Sequence, residues 1–205
     1  MVVNGILIGH NGNVSQIIIP ESVTIIENSA FEACKDIVSV TIPDSVTSIG
    51  DNAFNGCSEL ANIAIPESIT DIGKFVLIGT KWYNDYPDDF VVINGVLVGY
   101  KGNDSSIVIP DTVNRIGSSV FENCRSIVSI SIPNTVTIIG ENAFLRCESL
   151  ASITIPDSVT VICDNAFNAC VKLSEINLGE NSNFVISDGA LWTKDMQTKI
   201  VELAK

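Results

Sequence analysis

The sequence has few of the residues on which most catalytic and metal sites depend. Its 205 residues include one histidine, His10, which excludes a multi-histidine metal site and leaves a histidine general base a single candidate. Charged residues make up 17% and apolar residues 46%, so the chain is not of the disordered class. No apolar run approaches the roughly 18 residues that span a bilayer. Composition therefore argues against an enzyme and against direct membrane insertion of this segment.

Positive charge is also scarce, because 11 Lys and Arg residues stand against 24 Asp and Glu residues, a net charge of −13. Such a chain repels phosphate backbones and anionic lipid, so we expect no nucleic-acid partner and no role at a membrane surface. Residues 1–12 lack a basic stretch, and Asn4, Gly5 and Gly9 interrupt their apolar character, which is not typical of a signal peptide. Two alternatives stay open: a cytoplasmic protein, or the mature part of an exported one.

The main feature of the sequence is a repeat of 23 residues. Three residue types recur in phase, and each keeps the same step. The three columns are Pro20, Pro43, Pro66, Pro110, Pro133 and Pro156; Phe31, Phe54, Phe121, Phe144 and Phe167; and Cys34, Cys57, Cys124, Cys147 and Cys170.

A 90-residue period lies above the short one, and it places residues 92–110 on residues 2–20. Asn94 and Gly95 then fall on Asn4 and Gly5, and a diverged third copy begins near Asp188 and Gly189. We therefore predict a single solenoid over residues 1–205, built of blocks 1–90 and 91–180 with a partial block 181–205. Such a chain indicates an excerpt of a longer array, although a natural terminal unit stays possible.

Within one unit, the pattern predicts a short strand that ends at the proline. Ile37, Val40 and Ile42 point inward, while Ser39 and Thr41 alternate outward. A single 23-residue coil cannot enclose a core, but stacked coils can, with parallel strands about 4.8 Å apart.

The rest of the unit predicts turns. Pro43 suits the first central position of a tight turn, with Asp44 accepting local hydrogen bonds. Gly50 allows a bend, and residues 51–54 suit one helical or 3₁₀ turn.

The unit I-P-x-S-V-x-x-I-G-x-x-A-F-x-x-C-x-x-L resembles the BspA-like leucine-rich repeat family over about residues 17–80 and 104–178. Residues 81–103 also resemble the linking stretch between repeat groups in that family. The resemblance implies a right-handed leucine-rich repeat solenoid with a concave parallel β-sheet and short β, 3₁₀ or helical turns. It also implies display at a cell surface and binding of proteins or cells. Two departures are Cys163, where other units have glycine, and Leu77 with Thr80, where other units have phenylalanine and cysteine.

The cysteines favour a buried ladder of free thiols, because five of the six share one interior column. A Cys163–Cys170 disulfide stays open as the exception. A cysteine metal site is disfavoured, because the thiols are spread along the chain and no C-x₂-C occurs.

Acidic residues form a further column directly after the prolines, which we interpret as turn residues at a solvated edge. Its members are Glu21, Asp44, Glu67, Asp111 and Asp157. Asp85, Asp88 and Asp89 make a local acidic cluster, and a calcium site there is the alternative to a solvated segment.

No catalytic constellation is visible. His10 falls in a turn, and its counterpart in the next block is Tyr100, so we assign His10 to an exposed loop. No G-x-S-x-G elbow, Walker motif or dinucleotide-binding glycine pattern occurs. We predict no catalytic residue, no cofactor and no metal.

Two surfaces are candidates for binding. The first is the outward face of the main sheet, which is small and polar and so suits weak contacts reinforced by avidity. Its members are Ser39, Thr41, Asn62, Ala64, Ser129, Ser131, Ser152, Thr154, Glu175 and Asn177. The second is the aromatic group Trp82, Tyr83 and Tyr86, whose rings either contact a ligand or fill the core where the repeat breaks.

These observations predict a non-catalytic protein-binding or adhesion module that is secreted or displayed at a cell surface. The expected partner is a host extracellular-matrix protein or another cell-surface protein. A carbohydrate-binding or spacer module of a larger secreted protein is the alternative, and an enzyme is a distant third.

Overall fold

A computed structural model of the protein describes residues 2–3, 5–7, 14–180 and 182–204. The chain divides into two compact units, Met1–Asn94 and Gly95–Lys205. Each unit is a β-solenoid, a stack of short coils around its own core. The arrangement as one solenoid of 90-residue blocks stays a prediction.

The first unit stacks its strands in parallel at the predicted step. In one sheet, formed by the third, fifth and seventh strands, Val40 lies beside Ile63 and Thr41 beside Ala64. In the other sheet, the second, fourth, sixth and eighth strands are parallel, and the first pairs antiparallel with the second. The elements are β1 (Val2–Val3), β2 (Ile6–Leu7), β3 (Gln16–Ile18), β4 (Ile25–Ile26), β5 (Ser39–Thr41), β6 (Ser48–Ile49), β7 (Asn62–Ala64), β8 (Asp71–Ile72), α1 (Lys81–Asn84) and β9 (Phe90–Ile93).

The second unit repeats this plan and adds a small antiparallel sheet. Its strands are β10 (Val96–Tyr100), β11 (Ser106–Val108), β12 (Arg115–Ile116), β13 (Ser129–Ser131), β14 (Ile138–Ile139), β15 (Ser152–Ile155), β16 (Val161–Ile162), β17 (Glu175–Leu178), β18 (Phe184–Ser187), β19 (Ala190–Thr193) and β20 (Lys199–Glu202). Strands β11, β13, β15 and β17 form one parallel sheet, and β10, β12, β14 and β16 stack in another. Strands β18, β19 and β20 form the antiparallel sheet.

The core follows the repeat columns. The central residue of the short strands points inward, as Val40 and Ile130 do, while their neighbours face solvent. Phe31 and Phe54 stack with ring centroids 5.0 Å apart in the first unit. In the second unit, Phe144 stacks at 5.2 Å on the phenylalanine of each neighbouring coil. The predicted inward columns are therefore confirmed, because identical residues pile face to face at the coil spacing.

The turn after each strand differs from the prediction by one residue. Val46 N–H donates to the carbonyl of Pro43 at 3.1 Å, so Pro43 opens the turn and Asp44 and Ser45 are its central pair. Proline has no N–H to satisfy but keeps its carbonyl, which makes it a suitable first residue of the turn.

Residues 51–54 form no helix, which corrects the second local expectation. Asn55 N–H donates to Asn52 O at 3.0 Å, but Asn52 has a left-handed φ of 56° that breaks the helical path. Alternate N–H groups of this turn instead point to the next coil. The bonds run from Asn52 to Lys74 O, from Phe54 to Val76 O and from Gly56 to Ile78 O, at 2.9, 3.0 and 2.8 Å.

Candidate binding faces

The outward face of the β3–β5–β7 sheet carries two rows of side chains across the coils of the first unit. One row is Gln16, Ser39 and Asn62, and the other is Ile18, Thr41 and Ala64. Five of these six side chains are exposed and Ser39 is half-exposed. The sequence placed Ser39, Thr41, Asn62 and Ala64 on this face, and the structure brings them together there.

A shallow groove of about 380 Å³ crosses this face at β7. Its floor is the sheet, from Ser39 through Thr41 to Ala64, and the Trp82 side chain lies at its end. The two surfaces that the sequence suggested separately, the polar face and the aromatic group, therefore meet at Trp82.

The position of Trp82 depends on the short helix α1. The Thr80 side chain is fully buried, donates to Leu77 O at 2.8 Å and accepts from Tyr83 N–H at 3.0 Å, which starts the helix. Trp82 N–H donates to Leu60 O at 2.8 Å and ties the helix to the edge of the preceding coil. Helix α1 thus lies in the coil after β7 and holds Trp82 at the groove beside that strand.

The three linking aromatics have three different environments. Tyr83 is buried, which agrees with the core-filling alternative for that ring. Trp82 and Tyr86 are half-buried, with ring centroids 5.3 Å apart, and the Tyr86 hydroxyl donates to Val92 O at 3.2 Å. Of the three, Trp82 is the ring that lines the groove.

The second unit presents a longer face of the same kind on strands β11, β13, β15 and β17. Ser129 and Ser152 are half-exposed, and the other predicted members are exposed; these are Ser131, Thr154, Glu175 and Asn177. The hydroxyl of Ser129 donates to Ser106 Oγ at 2.9 Å, and Asn177 Nδ2 donates to Glu175 Oε1 at 3.2 Å. These bonds link neighbouring side chains along the face without covering it.

Two apolar side chains on these faces were missed by the sequence reasoning. Ile18 is 79% exposed and Val108 is 71% exposed, each beside the polar residues of its sheet. They are 90 residues apart and occupy the same place in the block. The alternation of inward and outward residues along a strand places Ile18 and Val108 on the outward face, but their apolar character suggests the core.

All six cysteines are free thiols, so the Cys163–Cys170 disulfide is not formed. Cys57, Cys147 and Cys170 are buried, and each thiol donates to the phenylalanine carbonyl of the preceding coil at 3.0–3.1 Å. Burial raises the pKa of Cys57 and of Cys170 to about 11, and it raises the pKa of Cys147 as well. These thiols stay protonated at neutral pH and serve as packing groups rather than nucleophiles.

Within the part of the chain that the structure describes, no three His, Cys, Asp or Glu residues come together to hold a metal ion. Asp85 pairs instead with Lys81 on the surface of α1. His10 lies outside the described residues. No helix among the described residues is long and apolar enough to cross a membrane.

Stacked 23-residue coils with parallel strands and an exposed polar face define the chain as a leucine-rich repeat scaffold. The model of the BspA-type leucine-rich repeat region matches it in six copies, over residues 9–84 and 99–201. The chain therefore belongs to the BspA-type leucine-rich repeat family, which is typically a non-catalytic binding scaffold.

Solved structures of bacterial leucine-rich repeat proteins are similar to this chain. The T. pallidum protein is 29% identical, with 81% of this chain and 70% of that chain covered and a TM-score of 0.40. A Bacteroides ovatus protein is 30% identical, with 82% and 38% covered and a TM-score of 0.39. A leucine rich cell surface protein from Faecalibacterium prausnitzii is 25% identical, with 81% and 60% covered and a TM-score of 0.38. The chain thus spans less than two thirds of the length of the last two, and no curated protein matches it.

Proposed function

We propose that the chain is a non-catalytic binding module, secreted or displayed at a cell surface, that binds protein partners through the outward faces of its sheets. The observation that carries the proposal is the groove in which Trp82 lies beside the exposed Thr41 and Asn62. Family membership supports it, since BspA-type repeat proteins are often surface-associated and the repeat fold is often used for binding.

The chemistry of the faces indicates how a protein would bind. Trp82 and Ile18 provide apolar contacts on the face of the first unit, and Val108 does so on the face of the second. The hydroxyl and amide groups of each face provide hydrogen bonds. One face with so few large side chains binds weakly, and repeated faces bind more tightly through avidity. The expected partner is an extracellular-matrix protein or another cell-surface protein, and the net charge of −13 favours a basic surface on it.

The groove also supports carbohydrate binding as a second candidate function. An indole ring beside amide and hydroxyl groups is suited to a sugar, because the ring contacts the apolar side of a pyranose while Asn62 and Thr41 bond its hydroxyls. Both candidate functions therefore use the same groove and differ in the ligand that it binds, a protein or a carbohydrate.

The test is a pair of arginine substitutions in one coil. Ala64→Arg fills the groove from its floor, whereas Thr70→Arg adds the same side chain at an exposed position outside the β3–β5–β7 sheet. We expect binding to immobilised extracellular-matrix proteins to fall at least tenfold in Ala64→Arg and to stay unchanged in Thr70→Arg.

A glycan array probed with the same variants decides between the candidates. Glycan binding that Ala64→Arg abolishes, without binding to matrix proteins, would overturn the protein-binding proposal in favour of the second candidate. No binding to either set would leave neither function standing and would favour a spacer.

A further inference from the structure

In the last full coil of the second unit, three backbone N–H groups have no acceptor among the residues that the structure describes. Earlier in the stack, alternate turn N–H groups donate to the carbonyls of the next coil, from Asn142 to Asp164, from Phe144 to Ala166 and from Arg146 to Asn168, at 3.1, 2.8 and 2.9 Å. One coil later, the N–H groups of Asn165, Phe167 and Ala169 have no hydrogen-bond acceptor among the described residues.

These three residues line a groove of about 660 Å³. One wall is the turn of the last full coil, residues 162–171, and the other is residues 198–202, which include strand β20. Within the described part of the chain, strand β20 pairs with β19 alone, so it is an edge strand. One wall of the groove thus carries the N–H groups at the end of the coil stack, and the other carries the edge strand of the small sheet.

We propose that this groove is a binding site for an extended polypeptide segment of another protein. The edge of β20 can pair with an extended chain, and the N–H groups of Asn165, Phe167 and Ala169 on the opposite wall offer donors to its carbonyls. In the two preceding coils of this unit, the equivalent donor rows at residues 119–123 and 142–146 each bind three peptide carbonyls of the next coil, which shows that such a row can hold a peptide backbone.

The side chains of the groove indicate the charge of the segment. Asp164 is exposed on one wall, and Glu202 on the other is paired with Lys199 at 3.0 Å. The charge of Asp164 is therefore left over, so the groove is net negative, as is the whole chain with its net charge of −13. A basic segment is favoured. The groove shares no residue with the outward sheet faces, and the proposal goes beyond the function proposed for them.

Amide hydrogen exchange followed by NMR tests the proposal directly. The probe is an acetylated heptapeptide amide, Lys-Val-Thr-Val-Lys-Val-Thr, added to the full chain, with an analogue carrying Glu for Lys as the charge control. We expect the amides of Asn165, Phe167 and Ala169 to exchange quickly in the free protein and at least tenfold more slowly with the basic peptide. Slow exchange at these amides in the free protein, or unchanged exchange at saturating peptide, would overturn the proposal.

A matched pair of tryptophan substitutions locates the binding. Val171, which is 66% exposed, lines the groove, and Arg125 occupies the same column two coils earlier. We expect Val171→Trp to weaken peptide binding at least tenfold and Arg125→Trp to leave it unchanged. Slow exchange at Asn142, Phe144 and Arg146 in both variants verifies that the stack is intact.

The competing occupant is a second copy of the chain. Light scattering over a range of protein concentrations measures it in the absence of peptide. Concentration-dependent dimers that Val171→Trp abolishes would overturn the proposal, because the groove would then be an interface between copies.

Discussion

Two turn positions in each coil have a left-handed backbone conformation. The first position is occupied by Ser29, Asn52, Phe75, Ser119, Asn142 and Asn165, and the second by Ala33, Gly56, Gly79, Asn123, Arg146 and Ala169. Glycine has no Cβ, and the short side chain of asparagine can bond the local backbone, so both adopt this conformation readily, whereas in alanine and arginine the Cβ crowds the backbone. The repeat therefore tolerates residues at the second position that the local backbone disfavours.

Substitutions at the second position should change stability through the backbone alone. At Gly56, where φ is 72°, an added Cβ would lie 3.7 Å from its nearest neighbour, so Gly56→Ala creates no clash. We expect it to lower the free energy of unfolding by about 1 kcal/mol and Arg146→Gly to raise it by up to about 1 kcal/mol, measured by urea denaturation. Arg146→Ala, which keeps the Cβ, is the control; a gain as large as that of glycine would contradict the backbone explanation.

The element that sequence reasoning described least well is helix α1. Thr80 stands where the repeat has cysteine, but its fully buried hydroxyl bonds Leu77 O of its own coil, whereas a thiol such as that of Cys57 bonds a phenylalanine carbonyl of the preceding coil. The hydroxyl oxygen of Thr80 also accepts a hydrogen bond from Tyr83 N–H. A cysteine at this position would be a poor substitute, because a thiol sulfur is only a weak acceptor. The departure at Thr80 is thus the point where the coil path ends and the helix that places Trp82 begins.

Thr80→Ala should therefore loosen α1. Loss of a helix cap costs about 0.5–2 kcal/mol, so we expect a comparable fall in the free energy of unfolding. The Trp82 emission should shift to longer wavelength in a background of Trp192→Phe, which removes the other tryptophan. Thr80→Ser retains the hydroxyl and serves as the control; equal effects of the two substitutions would show that the buried methyl group, not the cap, supports the helix.

Position in the repeat decides which features the sequence predicts. Columns such as Phe144 and Cys147 are visible because stacked coils require identical residues at each level, and the inward alternation around Val40 follows from strand geometry. Trp82 lies outside any column, so its place in the groove depends on a helix that the repeat does not encode. The donor row at Phe167 is invisible in the sequence, because every residue except proline carries the same N–H group.

The repeat concentrates negative charge, because it places an acidic residue at the same position in successive coils. Glu21, Asp44 and Glu67 are exposed and follow the prolines of three successive coils of the first unit. Stacked coils bring the backbones of equivalent residues to about 5 Å from one another, so like charges in one column repel. In the second unit, Asn134 replaces the middle acid of the equivalent column.

Asp44→Asn copies the Asn134 arrangement and should stabilise the chain. Asparagine suits the same turn, so the substitution removes the repulsion from both neighbours without disturbing the backbone. We expect the free energy of unfolding to rise by about 0.5 kcal/mol in 10 mM salt and the gain to disappear in 0.5 M NaCl, where screening acts within about 4–5 Å. Asp88→Asn makes the same change in net charge at an exposed position outside the column. An equal gain from Asp88→Asn would assign the effect to the net charge of −13 rather than to the stacked column.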